Sequence, residues 1–294
     1  MNCPFRNVSV WLDEPRPDCA PYLHGLEWAS GLRLPLRLVL PVTSDQEASA
    51  AQAFGAAEGE SNGVQKGESA LETLRLACLG RGVSWEGAVR TGQPEGAVQQ
   101  FVRAGELCVF ANAMPDAIKE AVLWRSARDP SASLLVCPRS WQPMRRLLVV
   151  QEPRNSAGRF LEFVVQVCNA FRLAPTVLTI ARDEEQARCL QQSAAEALTA
   201  IESPADFDFL VGADTLTAVA LAARCRRCTH VMLERPSAAR FSWFRADTLS
   251  RLLDLPDTLT YLAVPSVIEP TSAETRELSS ISKEATKFVS RLEP

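Results

Sequence analysis

The chain has 294 residues, 47% of them hydrophobic and 22% charged, with a formal net charge of −4. That is the profile of an ordinary globular protein, and its negative balance offers no electrostatic basis for binding nucleic acid or an anionic membrane. No apolar run approaches the roughly 20 residues a membrane-spanning helix needs, and Met1–Arg6 lacks the basic-then-apolar pattern of a secretory signal.

Short apolar runs alternate with helix-like segments along the chain. The first half reads as strand Val8–Leu12, helix Asp18–Gly31 and strand Leu36–Val42. Ser44–Ser69 follows, rich in Ala, Gly, Ser and Glu and poor in large apolar residues. It is expected to be a mobile insertion with room for some helix, because it has little surface to bury. Next come helix Ala70–Arg81, strand Ser84–Arg90, a turn at Gly92-Gln93-Pro94, helix Glu95–Ala104 and strand Leu107–Ala111. Helix Asp116–Arg125 and strand Ser133–Cys137 close this half, and Arg139–Pro143 links it to the next. The second half reads as strand Arg146–Val150, helix Ser156–Phe171, strand Thr176–Ala181, helix Asp183–Ala200 and strand Asp208–Gly212. Helix Thr215–Cys225, strand Thr229–Leu233, helix Arg245–Leu253 and strand Thr258–Val264 complete it. Beyond Ser266, Leu278, Ile281, Ala285, Phe288 and Leu292 recur at helical spacing, which predicts a C-terminal helical tail.

The strand runs are nearly continuous in apolar residues, as expected of parallel strands covered on both faces. The two halves also echo each other. Asp13-Glu14-Pro15-Arg16 is answered by Gln151-Glu152-Pro153-Arg154, 138 positions on. Leu32-Arg33-Leu34 is answered by Phe171-Arg172-Leu173, and Leu38–Leu40 by Val177–Thr179, after a slip of one. The expected architecture is two doubly wound (Rossmann-like) α/β domains, residues 1–140 and 145–266, each with a five-stranded parallel sheet. The insertion (about 44–69) lies in the first domain, and the tail is residues 267–294.

Ligands of such sheets bind beyond the carboxyl ends of the strands, here marked by Asp13-Glu14, Gly92 and Ala111 in one half and Gln151-Glu152, Gly212 and Glu234 in the other. This order of elements, with Asp13 closing the first strand, Gly92-Gln93-Pro94 after the third and Val264-Pro265 after the fifth, resembles the universal stress protein family in its tandem two-domain form. The resemblance spans the chain as far as Pro265, and it implies packing as a pseudo-dimer through the last strands. Many members bind ATP through Gly-x2-Gly-x9-Gly-Ser/Thr, running from the fourth strand into the last helix. Counting back from Val264-Pro265 puts Glu234, Ser237, Asp247 and Thr248 at those positions. Carboxylates there repel a polyphosphate, and side chains block the backbone approach that glycine permits; Arg235, Arg240 and Arg245 offset part of that charge. In the first half Ala111 holds the first glycine position, Glu120-Ala121 falls where Gly-Ser would be, and the loop Asn112–Lys119 is several residues short. The family's acidic residue near adenine and ribose corresponds to Asp13, with Gln151 in its place in the second half. No cofactor is therefore expected, and ATP or AMP is disfavoured.

The remaining chemistry is sparse. There is no Gly-x-Ser-x-Gly elbow, no Walker-type Gly-Lys-Ser/Thr and no Gly-x-Gly-x-x-Gly. His24 and His230 are the only histidines; His24 is expected to pack or face solvent, and His230 to be a satisfied core histidine. Cys225-Arg226-Arg227-Cys228 closes a helix, where the dipole does not activate a thiol, and no second pair completes a zinc set, so no metal site is expected. The nine cysteines read as mostly reduced thiols of a cytoplasmic protein. Phe241, Trp243 and Phe244 are expected either to cap the vacated crevice or to face a partner. The leading expectation is a non-enzymatic stress-response protein acting by protein contacts or self-association. The alternatives are a nucleotide or small-ligand sensor at Asp13, and a hydrolase or transferase rebuilt around Glu234 and Asp247.

Overall fold

The computed structural model describes residues 3–42, 59–91, 94–128, 132–153, 157–201, 204–235 and 259–265. The first half runs β1 Asn7–Trp11, α1 Ala20–Leu32, β2 Leu36–Val42, α2 Gly59–Gly80, β3 Trp85–Thr91, α3 Pro94–Phe101, β4 Glu106–Ala111, α4 Asp116–Arg128 and β5 Ser133–Cys137. The second runs β6 Leu147–Gln151, α5 Ala157–Phe171, β7 Pro175–Ala181, α6 Glu184–Ala197, a short 3₁₀ turn Leu198–Ala200, β8 Asp206–Val211, α7 Thr215–Arg226, β9 His230–Arg235 and β10 Thr260–Pro265.

All ten strands lie in one sheet, ordered β3-β2-β1-β4-β5-β10-β9-β6-β7-β8. Each half therefore has the same doubly wound order, with its switch point between its first and fourth strands, β1/β4 and β6/β9. Pairing is parallel within each half, and β5 meets β10 antiparallel, Leu135 opposite Leu262. Burying every residue of β1's Val8–Trp11 and of β5 and β6 requires helices on both faces. On one face α1, α2 and α5 pack Leu26, Leu74, Phe160 and Val164 against Val10, Leu38, Val149 and Val177. On the other, α3, α4 and α7 pack Val98, Val122 and Val219 against Phe110, Leu148 and Val231. The first core is continuous across the seam: α1 and α5 meet through Trp28 and Phe171, with ring centroids 5.3 Å apart.

The internal echo has a structural counterpart. Arg33 (φ 56°) and Arg172 (φ 53°) both end their helices in the left-handed conformation. Leu34 N–H then bonds back to Ala29 O at 2.9 Å, as Leu173 N–H does to Cys168 O at 2.8 Å. These are the same Schellman-type closure.

One expectation is corrected. Residues 59–69, read as part of a mobile insertion, belong to the 22-residue helix α2. Its sheet-facing stripe is Gly67, Leu71, Leu74 and Cys78, all buried. A Cβ at Gly67 would sit 3.1 Å from Leu40 Cδ2 and 3.2 Å from Val89 Cγ2. Gly67 adds nothing to an apolar pattern, so the sequence shows this helix only from Ala70. The remainder of the insertion, the helix expected at Arg245–Leu253, the aromatic trio at 241–244 and the C-terminal tail lie outside the described residues. No described helix is long and apolar enough to cross a membrane.

Candidate functional sites

The carboxyl ends at the first switch point carry Asp13 and Ala111. Asp13 follows β1 and accepts the Trp11 indole N–H at 2.8 Å. Crowding by the surrounding chain raises its carboxyl pKa, against the Trp11 bond, and nearby Glu14 adds to the rise. Of the two ordinary roles for such a carboxylate, helix start or turn, it has the second: it lies in the bend after β1, and α1 is capped by Cys19 without a side-chain bond. Ala111 ends β4, and the loop beyond it is tied down by Asn112 N–H on Cys137 O at 2.8 Å. Gly92 lies outside the described residues.

At the second switch point the register revises one assignment. Val10 pairs with both Leu38 and Val109, as Val149 pairs with Val177 and Met232. Matching the helix ends, Arg33 with Arg172, and the residues facing the same core, Val10 with Val149, makes Leu12 the counterpart of Gln151 and Asp13 the counterpart of Glu152. The Glu-Pro-Arg echo is thus one residue out of step with the strands, and a one-residue slip moves a side chain to the opposite face. Gln151 is accordingly buried at 2% exposure, as Leu12 is at 1%, and its Oε1 accepts the Thr179 hydroxyl at 3.5 Å. Glu152 takes the acidic position and is held by the Thr215 hydroxyl at 2.5 Å.

The same matching makes Ala111, the last residue of β4, and Glu234, the last but one of β9, equivalent. Glu234 is buried. Gly212 follows β8 with φ +67° and donates to Ala181 O at 3.0 Å. Beside these ends lies an open depression of about 420 Å³ lined by Pro153, Asp183, Glu185, Gln186, Cys189 and Leu190. Its lining has two carboxylates and no Lys or Arg. Ser237, Asp247 and Thr248 lie outside the described residues.

A second constellation sits at the seam between the halves. His24, on α1, and His230, which opens β9, come together with ring centroids 5.4 Å apart, edge to face. Glu27, one helical turn after His24, places Oε2 3.8 Å from His24 Nδ1. His24 Nδ1, Glu27 Oε2 and His230 Nε2 are all buried without a hydrogen-bond partner. One ligand-type atom from each of these three residues lies within 4.8 Å of those of the other two. Outer contacts orient them: His24 Nε2 to Thr260 Oγ1 at 3.4 Å, His230 Nδ1 to Thr229 Oγ1 at 3.0 Å, and Met144 N–H onto Glu27 Oε1 at 3.0 Å. Burial lowers the His24 pKa to about 4 and holds His230 well below its ordinary value, with His24 adding to the latter. Both rings are therefore neutral near pH 7. Burial also raises the Glu27 carboxyl, against the Met144 amide and the Trp141 indole. His24 does not face solvent, and His230 is buried but only half satisfied. In sequence they look unrelated; only the strand order makes them neighbours.

Comparison with known proteins agrees with the fold. The chain superposes on a universal stress protein from Archaeoglobus fulgidus DSM 4304 with a TM-score of 0.62 at 10% identity, over 89% of this chain and 99% of that one. It superposes on a protein described as a universal stress protein from Pseudomonas aeruginosa UCBPP-PA14 with a TM-score of 0.53 at 14% identity, over 94% and 98%. The cytoplasmic domain of a prokaryotic cation chloride cotransporter gives 0.53 at 10%, over 89% and 96%. No protein-family model and no curated protein sequence matches the chain. Its fold is that of the universal stress proteins.

Proposed function

We propose that the protein is a universal-stress-protein-like component of a stress response that acts through protein contacts or self-association. On this reading it neither catalyses a reaction nor binds ATP in the mode usual for that family. The observation that carries the reading is Glu234, buried at the end of β9, where a glycine would admit a phosphate. A carboxylate there adds repulsion and fills the space for backbone approach. Glu152 and the acidic depression at Asp183 and Glu185 reinforce the same polarity. A cytoplasmic setting fits nine cysteines that are all free thiols, and the composition gives no reason to invoke nucleic acid or a membrane.

Thermal unfolding with millimolar Mg-ATP tests this. A ligand at a hundredfold excess over its Kd stabilises by about 2.7 kcal/mol, which is a shift of about 4 °C for a chain of this size. The expected shift is under about 1 °C; a shift of the full size refutes the reading. Turnover of generic phosphate or ester substrates that Glu234→Gln abolishes would instead support a hydrolase or transferase. A second reading, a small-ligand sensor at the first switch point, is favoured by Asp13 together with the buried Asn112 Oδ1, which has no hydrogen-bond partner. Adenine nucleotide retained in native mass spectra and lost in Asp13→Ala would select it.

A further inference from the structure

We propose that His24, Glu27 and His230 form a site for one divalent transition-metal ion, of the kind that Zn²⁺ fills, joining the two halves of the molecule at their seam. The argument begins with hydrogen bonding. Thr229 has one hydroxyl hydrogen, for which Arg146 O at 3.4 Å is an acceptor. With that hydrogen on Arg146, Thr229 Oγ1 accepts from His230 Nδ1, 3.0 Å away, and the tautomer with its proton on Nδ1 leaves a lone pair on the inward Nε2. Glu27 Oε2 also presents only lone pairs when ionised. If His24 likewise donates from Nε2 to Thr260, three lone pairs face one another with no donor between them. Buried acceptors so arranged are costly unless a cation satisfies them.

The donor set is the one transition metals take. Two imidazoles and a carboxylate hold zinc with the fourth position open, at bond lengths near 2.0–2.1 Å. In a tetrahedron of that size ligand atoms stand about 3.3 Å apart, so the His24–Glu27 separation of 3.8 Å closes by about half an ångström. The outer shell is built as well. Each ring's other nitrogen contacts a threonine hydroxyl, and Glu27's other oxygen is held by a backbone amide. Such partners orient metal ligands in known sites. Glu27 keeps 18% side-chain exposure, which gives an ion its way in. The components come from α1, the segment before β6, and the first residues of β9 and β10, so an ion here would tie the halves together. This inference does not depend on the proposed stress-response role.

The test uses the full chain stripped with a chelator and titrated with Zn²⁺ alone. Because the protein has only two histidines, imidazole ¹⁵N spectra are unambiguous. The expected result is one equivalent bound, with the His24 Nδ1 and His230 Nε2 resonances moving and the two outer nitrogens remaining protonated. Glu27→Gln preserves size and the Met144 contact and is expected to weaken binding at least about 100-fold. His230→Gln is expected to do the same, and the wild-type spectra carry the test if that variant fails to fold. Imidazole resonances unmoved at saturating Zn²⁺ overturn the proposal. So does affinity unchanged in Glu27→Gln, which would assign the ion to exposed thiols, or a His24 spectrum showing its proton on Nδ1 with Zn²⁺ present.

Discussion

Glu106→Gln offers the sharpest test of how the first half is held together. Arg37 stands inside the apolar run of β2 and Glu106 opens β4, yet they are only 4% and 6% exposed. Arg37 Nη2 meets Glu106 Oε2 at 2.5 Å. Ser9 accepts from Arg37 Nε at 2.9 Å and donates to the same carboxylate at 2.5 Å, while Asn7 donates to Oε1 at 3.1 Å. Two of the three remaining guanidinium hydrogens go to the Gln100 and Phe101 carbonyls at 3.2 and 3.0 Å. Glutamine keeps the volume and removes the charge, leaving a buried guanidinium without its counter-ion. Breaking such a pair costs about 3–5 kcal/mol. The two carbonyls still satisfy part of Arg37, so the expected cost is at the lower end, about 3 kcal/mol. For a chain of this length that lowers the unfolding midpoint by about 5 °C, read by circular dichroism. The double change Arg37→Met with Glu106→Leu removes both charges and should recover most of the loss, because the pair's attraction largely offsets its desolvation. A midpoint within about 1 °C of wild type for Glu106→Gln, or a double variant as damaged as the single, refutes the reasoning.

Other consequences follow from the packing. At Gly31 a Cβ would lie 2.5 Å from Phe171 Cζ across the seam, so Gly31→Ala should cost about 1–3 kcal/mol in urea unfolding, and much less when Phe171→Leu is also present. Asp183 caps α6 by accepting Gln186 N–H at 2.8 Å, and Asp183→Ala should cost about 1 kcal/mol by the same measurement. In native labelling with a thiol reagent, Cys189 and Cys225 should react first, being exposed. Cys137 and Cys168 should wait for unfolding: both are buried, and burial pushes the Cys168 thiol up to about 12 and holds the Cys137 thiol well above its ordinary value. Rapid modification of Cys137 in folded protein would contradict the core assignment.

The strands were legible because burial on both faces writes itself as uninterrupted apolar runs. The limits of β2 and β5 come straight from Leu36–Val42 and Ser133–Cys137. Periodicity failed where a small residue did a large residue's work, at Gly67 on α2. What it could not show is the partner of a charge inside a run: β2 reads correctly through Arg37, but nothing local says that Glu106 lies beside it with Ser9 between them. Sequence echo found the repeat but misplaced its register by one residue at the second switch point, because Glu-Pro lies beyond the strand ends, where pairing does not hold the register. Only side-chain alternation, with Leu12 and Gln151 both inward, separates Glu152 from Gln151 as the counterpart of Asp13.

The seam histidines show the deeper limit. A lone histidine in an apolar helix and another at the start of a strand each have an ordinary explanation, and each explanation was reasonable by itself. What changes their meaning is the antiparallel meeting of β5 and β10. It sets the amino end of β9 beside α1 of the other half, so that Thr260 of β10 contacts His24 while its parallel neighbour in β9 is His230. A chain whose halves joined through any other pair of edges would have kept these side chains apart. The chemistry at the seam is therefore a property of how the two sheets join, and neither half carries it alone.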